Sequence, residues 1–316
     1  WGLLTVAALL PSEWEARVRD LTFQDISTQD WHECDLVFVS GMIVQHHGIM
    51  QTIQEAKRRG KTVVVGGPWA FHFPEDALAA GADLAVSGEA ELIMPQLLDS
   101  LERRESGKVI AASGHADLEH SPPPRFDLID LDSYLDMALQ FSRGCPFNCE
   151  FCNVTALFGH RSRTKTAEQI IAELDGVYNL GWRGPVFFVD DNFIGNKAYL
   201  KAHLLPALIQ WQEGKKGIPF NTEASVNLAD DQILMGMMVK AGFDSVFIGI
   251  ETPSEESLAE CNKQQNKNRD LIESVKLMQR AGLQVQGGFI VGFDNDTPSI
   301  FQRQIEFIQK SGIVTA

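Results

Sequence analysis

The chain has 316 residues, of which 44% are hydrophobic and 22% charged, so it reads as an ordinary globular protein long enough for about two domains. Its 42 Asp and Glu outnumber 27 Lys and Arg, and the formal net charge of -15 argues against a nucleic-acid partner or a general anionic-membrane surface, since phosphate binding needs clustered cations. No apolar run reaches the roughly eighteen residues of a membrane span, so no transmembrane segment is expected.

The opening run Trp1-Gly2-Leu3-Leu4-Thr5-Val6-Ala7-Ala8-Leu9-Leu10 lacks a basic n-region and a cleavage site, and reads as a buried helix rather than a signal h-region. The absence of an initiating Met, and of an apolar strand before Trp1, suggests a fragment. Apolar runs follow at Val37-Phe38-Val39, Thr62-Val63-Val64-Val65 and Leu84-Ala85-Val86. Helical patterns at 47–59, 74–80 and 90–103 fall between or after them. Short continuous apolar strands alternating with helices predict a doubly wound parallel sheet, here over residues 1–120. The strands end in Ser40-Gly41, Gly66-Gly67 and Ser87-Gly88-Glu89, where such sheets bind ligands and where glycine lets a large flat or phosphorylated group come close. His46-His47-Gly48 fits no metal-ligand spacing and reads as a helix start. The prolines of Ser121-Pro122-Pro123-Pro124-Arg125 favour extended geometry, so a linker is expected over 121–137.

A second series begins near residue 138. Strands are expected at 138–143, 185–190, 219–226, 245–251 and 284–293, with helices at 166–180, 197–214, 230–241, 268–281 and 298–311. Five β-then-α repeats predict a partial barrel over 138–316 whose site lies at the carboxyl ends of the strands. A sixth strand is expected at or beyond Ile313-Val314-Thr315-Ala316.

The first of these strands runs into Arg143-Gly144-Cys145-Pro146-Phe147-Asn148-Cys149-Glu150-Phe151-Cys152, three thiols spaced C-x3-C-x2-C. Thiolates suit zinc, copper(I) and iron–sulfur clusters. A 4Fe-4S cluster normally takes four cysteines, so three leave one iron open to bind something else. The competing reading is a Cys3His zinc site with His160, eight residues beyond Cys152, a wider gap than such sites use. With three of five cysteines in one loop, a secreted disulfide framework is not expected and a reducing, cytoplasmic compartment is. Cys34 and Cys261 read as packing residues.

The other strand ends are polar. Asp190-Asp191-Asn192 suits an ammonium group, or else a helix-capping turn. Glu223 and Ser225 alternate along the third strand and would both face inward, toward a ribose hydroxyl, an ammonium, or an ion pair with an Arg such as Arg143. Glu251 ends the fourth strand.

The spacing C-x3-C-x-aromatic-C, with Phe151 before Cys152, resembles the signature of radical S-adenosylmethionine (radical SAM) enzymes. The resemblance implies that Cys145, Cys149 and Cys152 hold a 4Fe-4S cluster whose open iron chelates S-adenosylmethionine, with Phe151 beside it. It implies that Asp190 and Asp191 stand where the family holds the methionyl amino group, although the usual Gly-Gly-Glu is absent. It places Glu223, Ser225 and Glu251 near the cofactor, and Ile290 of Gly287-Gly288-Phe289-Ile290-Val291-Gly292-Phe293 on the edge under adenine. An electron donor such as a flavodoxin or ferredoxin is implied as partner.

An amino-terminal α/β domain before such a barrel resembles the cobalamin-binding subgroup. Ser40, Gly41, Gly66, Gly67, Ser87, Gly88 and Glu89 would then cradle cobalamin, without a histidine ligand from D-x-H-x-x-G, which is missing. The expected activity is methylation of an unactivated carbon through a 5'-deoxyadenosyl radical. Asp190-Asp191-Asn192-Phe193 and Thr222-Glu223-Ala224-Ser225 resemble the branch containing hopanoid C-2 methylases, which implies a small-molecule or lipid substrate and, for a lipid, action at the membrane periphery. Methylthiotransfer, ring rearrangement, and a non-catalytic cobalamin- or redox-sensing module remain as alternatives.

Overall fold

The computed structural model describes residues 2–215 and 217–316. The chain divides into two compact units, Trp1–Asp130 and Leu131–Ala316. Trp1, which opens the apolar run, lies outside the described residues; the rest of that run forms helix α1 (Gly2–Leu9), burying Leu4, Thr5 and Ala7.

In the first unit the elements after α1 are α2 (Thr28–Glu33), β1 (Leu36–Ser40), α3 (His46–Arg58), β2 (Thr62–Gly66), α4 (Gly67–His72), α5 (Pro74–Ala79), β3 (Leu84–Ser87), α6 (Ala90–Glu102) and β4 (Lys108–Ala111). All four strands are parallel in the order β1-β2-β3-β4. Alternation along these strands feeds two cores. Val39, Val63, Val65 and Ala85 pack with Ile49, Ile53, Trp69 and Ala77 on one face. Val64, Leu84, Val86 and Ile110 pack with Ile93, Met94 and Leu97, and with Val6 and Leu9, on the other. Covering on both faces is why the strands carry apolar residues at almost every position. The fourth strand was not expected, because Lys108-Val109-Ile110-Ala111 is short and only Ile110 is buried in it. The proline stretch belongs to this unit: the Ser121 hydroxyl donates to Glu91 at 2.8 Å, the Arg125 amide donates to the Leu4 carbonyl at 3.1 Å, and Phe126 is buried.

The second unit runs β5 (Met137–Leu139), β6 (Ser142–Arg143), α7 (Val154–Phe158), β7 (Arg163–Thr164), α8 (Ala167–Asn179), β8 (Val186–Phe188), α9 (Lys197–Tyr199), α10 (Leu205–Gln212), β9 (Phe220–Ala224), α11 (Gln232–Ala241), β10 (Phe243–Glu251), α12 (Glu255–Glu260), α13 (Leu271–Ala281), β11 (Gln284–Phe289) and α14 (Ile300–Ser311). Its sheet is parallel in the order β11-β10-β9-β8-β5, a partial barrel in sequential repeats. Beyond β11, Thr315 bridges Gln286 in parallel, so the last residues continue the sheet in the direction of a sixth strand. Phe188, Phe193, Phe220 and Phe243 form a buried aromatic cluster with neighbouring ring centroids 5.0–5.5 Å apart, each such contact contributing about 0.5–1.5 kcal/mol beyond burial.

Two departures from the predicted elements have local causes. The expected helix at 197–214 is interrupted by a widened π turn, Leu200–Leu204, just ahead of Pro206, which has no N–H to donate. The expected strand at 138–143 is split, its second half pairing antiparallel with β7 as a small hairpin. That hairpin is anchored by a buried ion pair: Lys165 Nζ lies 2.5 Å from Glu173 Oε1, with both side chains at most 1% exposed. Burial pushes the Glu173 carboxyl up and the Lys165 charge opposes it. Removing one partner strands a buried charge, so Glu173→Ala is expected to cost roughly 3–5 kcal/mol, read as a lower urea midpoint for the loss of barrel structure.

Candidate active site

The thiol loop leaves the sheet between β6 and α7, at the carboxyl end of the barrel's first strand. Where it leaves is set by Asp190, just beyond β8. The carboxylate of Asp190 is fully buried and accepts from the Phe141 amide at 3.0 Å, the Ser142 hydroxyl at 2.5 Å, and the Ser142 amide. Burial pushes its pKa up to about 7 against those hydrogen bonds. Gly144 then turns the chain at φ +95°, and a Cβ there would lie 2.5 Å from the Arg161 carbonyl oxygen. No side chain fits at that crossing.

Cys145, Cys149 and Cys152 are all half-buried. Burial pushes the Cys145 and Cys152 thiols up, so they are protonated at neutral pH and must lose their protons to ligate a metal. Amide donors face two of the sulfurs: Asn192 Nδ2 is 4.0 Å from Cys145 Sγ and Gln265 Nε2 is 3.6 Å from Cys149 Sγ. His160, the fourth ligand a Cys3His zinc site would use, is exposed. Three thiols on one loop, each with an N–H donor once the backbone amides of Phe147 at Cys145 and Val154 at Cys152 are included, fit an iron–sulfur cluster, whose potential such hydrogen bonds help to set.

Beside this loop, the side of the sheet opposite the aromatic core carries Asn221 and Glu223 of β9, with Phe247 of β10 in register with Glu223. Burial raises the Asp191 carboxyl to about 6 and the Glu223 carboxyl to about 7, and Asp191 contributes to the second shift. Arg143 lowers Asp191 in part, but among the described residues no basic group acts on Glu223. Two desolvated carboxylates sharing one opening favour a cationic ligand.

Five expected site residues stand differently. Asp190 is not available to a ligand's ammonium group, because its carboxylate faces inward and is taken by the loop it holds. Glu251 is committed to Lys263, whose Nζ lies 2.6 Å from Oε1; Lys263 arrives on the loop after α12, which no spacing in the sequence reveals. Ser225 lies past the end of β9, not along it, and its amide donates to Asn192 Oδ1 at 3.1 Å, steering the Asn192 amide group toward Cys145. Phe151 is 46% exposed with Lys263 Nζ 5.6 Å from its ring centroid, a cation–π contact rather than a buried one. Ile290 lies one residue beyond β11, half-buried, its amide donating to the Glu251 carbonyl at 2.8 Å. The sequence reading grouped Asn192 with the two acids toward an ammonium group, whereas its amide faces Cys145; Lys263 and Gln265 it missed for want of any signal.

In the first unit, the carboxyl edge of the sheet is shaped by glycine. Gly67 has φ +83°, and a Cβ on it would fall 2.2 Å from Ser40 Oγ; Gly41, Gly66 and Gly88 stand at the same edge. Next to them Met42, Ile43 and Val44 are exposed, Val44 at 83%. A flat edge with an apolar rim fits a broad ring such as a corrin. Two of the expected side chains do not face it freely. Ser87 Oγ donates to the Phe71 carbonyl at 3.2 Å, and the buried Glu89 carboxylate lies 3.3 Å from His115 Nδ1. His46 opens α3, its ring near the Ile43 carbonyl.

A glycine-edged parallel α/β unit followed by a partial barrel with three thiols at its strand ends defines a cluster-bearing enzyme class with an added cofactor-binding domain. The profile of the Radical SAM superfamily matches residues 139–308, and the chain belongs to that superfamily. The profile of the B12 binding domain matches residues 1–98. An uncharacterized methyltransferase of Synechocystis is 47% identical over 99% of this chain and 59% of its own length. The hopanoid C-2 methylase of Rhodopseudomonas palustris is 35% identical over 99% of this chain and 60% of its length. The chain thus spans about three-fifths of these relatives. In fold it resembles the radical S-adenosylmethionine methyltransferase TsrM of Kitasatospora setae, with a TM-score of 0.79 at 17% identity, covering 99% of this chain and 68% of that one. Family membership brings a 4Fe-4S cluster and S-adenosylmethionine, and the amino-terminal match brings cobalamin.

The raised Glu223 pKa has a testable sign. Between its unfolded value and about 7 the folded state binds more protons, so stability falls as pH rises through that window. Glu223→Gln is expected to raise the thermal midpoint of the cofactor-free chain at pH 8 by a few degrees, at roughly 2–4 °C per kcal/mol, and to leave it unchanged at pH 5.

Proposed function

We propose that this chain is the cofactor-bearing part of a cobalamin-dependent radical SAM methyltransferase acting on an unactivated carbon, with a polycyclic lipid of the hopanoid type as the substrate class. The observation that carries the reading is the continuous likeness, through both units, to two methyltransferases at 47% and 35% identity. Methylthiotransferases of similar domain order carry a second cluster, whereas Cys34 is the sole cysteine before residue 131 here.

When bound, the cluster with S-adenosylmethionine supplies a 5'-deoxyadenosyl radical for hydrogen abstraction, and cobalamin supplies the methyl group. The residues of the chain bind and orient. Cys145, Cys149 and Cys152 hold the cluster. Asp191 and Glu223 take the cationic end of S-adenosylmethionine, and the Asn192 amide, fixed by Ser225, faces Cys145. Glu251 is tied to Lys263 while its carbonyl holds Ile290. Gly67, with Gly41, Gly66 and Gly88, keeps the edge that receives cobalamin flat. A flavodoxin- or ferredoxin-type donor would deliver the electron. No helix among the described residues is long and apolar enough to cross a membrane.

The test is anaerobic reconstitution of the chain with iron, sulfide and hydroxocobalamin, followed by metal analysis and assay of 5'-deoxyadenosine after adding dithionite and S-adenosylmethionine. Cluster, cobalamin and deoxyadenosine together are expected; zinc without sulfide would sink the reading. Cys149→Ala is expected to lose iron, sulfide and cleavage. Glu223→Gln is expected to keep the cluster and weaken S-adenosylmethionine binding about tenfold to a hundredfold, the worth of one charge-assisted hydrogen bond. In wild type that binding should tighten as pH rises through about 7, when Glu223 ionises. Gly67→Ala is expected to cost cobalamin retention and spare the iron count.

A further inference from the structure

The segment after α12 reaches back onto the thiol loop at three consecutive residues. Asn262 Nδ2 donates to the Asn148 carbonyl at 2.8 Å, Gln265 Nε2 points at Cys149 Sγ at 3.6 Å, and the Glu150 amide donates to the Cys261 carbonyl at 3.0 Å. The segment is itself fixed. Buried Asn266 donates to the Gly249 and Ile250 carbonyls at 2.9 and 3.0 Å, and Lys263 pairs with Glu251 at the end of β10.

The Gln265 amide group has its orientation decided by the sulfur. A thiolate only accepts, so Nε2 must face it. The other end, Oε1, is buried and finds no hydrogen-bond partner. An amide side chain held with an orphaned oxygen keeps its one polar contact at Cys149.

Resting on the assignment of the three cysteines to a 4Fe-4S cluster, we propose that Gln265 is a positioning residue that sets the reduction potential of that cluster through its hydrogen bond to Cys149. An N–H donated to a ligating thiolate withdraws charge from the sulfur, which favours the more negative, reduced state and raises the potential. Removing the donor lowers the potential and makes the cluster harder to reduce. Asn262 and Cys261 give the same loop backbone contacts without touching sulfur, so they hold the loop and leave this tuning to Gln265.

The experiment is a redox titration of the reconstituted full chain, followed by electron paramagnetic resonance of the reduced cluster, with iron and sulfide counted in each sample. Gln265→Met, similar in length but without a donor, is expected to retain wild-type iron and sulfide. At the wild-type midpoint its reduced-to-oxidised ratio should fall about tenfold, equivalent to about 59 mV for one electron. Gln265→Glu, of the same size and carrying negative charge, should fall at least as far. An unchanged midpoint in both variants with the cluster intact overturns the proposal. Loss of iron from both variants also overturns it and makes Gln265 a folding residue. A wild-type chain that takes up no iron and sulfide would instead fail the three-cysteine assignment, an outcome separate from any variant.

Discussion

The buried carboxylate of Asp190 is the contact on which the site depends. It receives two backbone amides and a hydroxyl from the end of the first barrel strand, and so turns that strand away from the sheet into the β6–β7 hairpin that frames the thiol loop. A carboxylate taken out of water is costly unless hydrogen-bonded, and three donors meet that cost here. Among the described residues, neither the neighbouring Asp191 nor Glu223 gathers a comparable set of donors, and burial raises both carboxyls. One acid residue thus builds the loop, and in the proposed function the next takes a ligand. The chemical difference between two adjacent aspartates is entirely one of what faces them.

Much of this was legible in the sequence. The parallel sheets follow from continuous apolar strands flanked by amphipathic helices, and the thiol spacing identifies the family before any geometry is known. The strand ends were found because Gly and acidic residues interrupt apolar runs there. What was not legible depends on contacts remote in sequence. The spacing of Glu251 gives no sign of Lys263, and a Gln in a polar loop gives no sign that it meets a sulfur. Asp190 and Asp191 read alike as letters, since burial of one and partial exposure of the other arises only when β5 and β8 pair. β4 escaped notice because four residues with a single fully buried side chain carry too little periodicity.

The two cofactor regions use different means to the same end. In the first unit the chain removes side chains, leaving glycine at a strained or crowded edge so that backbone forms the surface. In the second it supplies side chains that are desolvated before a ligand arrives. Glu251 adds a third device: its backbone is left-handed at φ +64°, an arrangement costing about 1–3 kcal/mol, at a register shift between β10 and β11 and beside its ion pair with Lys263.

The clamp on the thiol loop also bears on the order in which the protein is made. Gln265 meets Cys149 across 116 residues of chain, and Asn262 meets Asn148 across 114. While a ribosome extends the chain from residue 152 to residue 266, the three thiols emerge without the segment that later covers them. Such non-local closure is the slow part of folding, because the connecting chain must be ordered first. Until that segment has formed, the thiol loop lacks the hydrogen bonds from Asn262 and Gln265 that hold it in the folded chain.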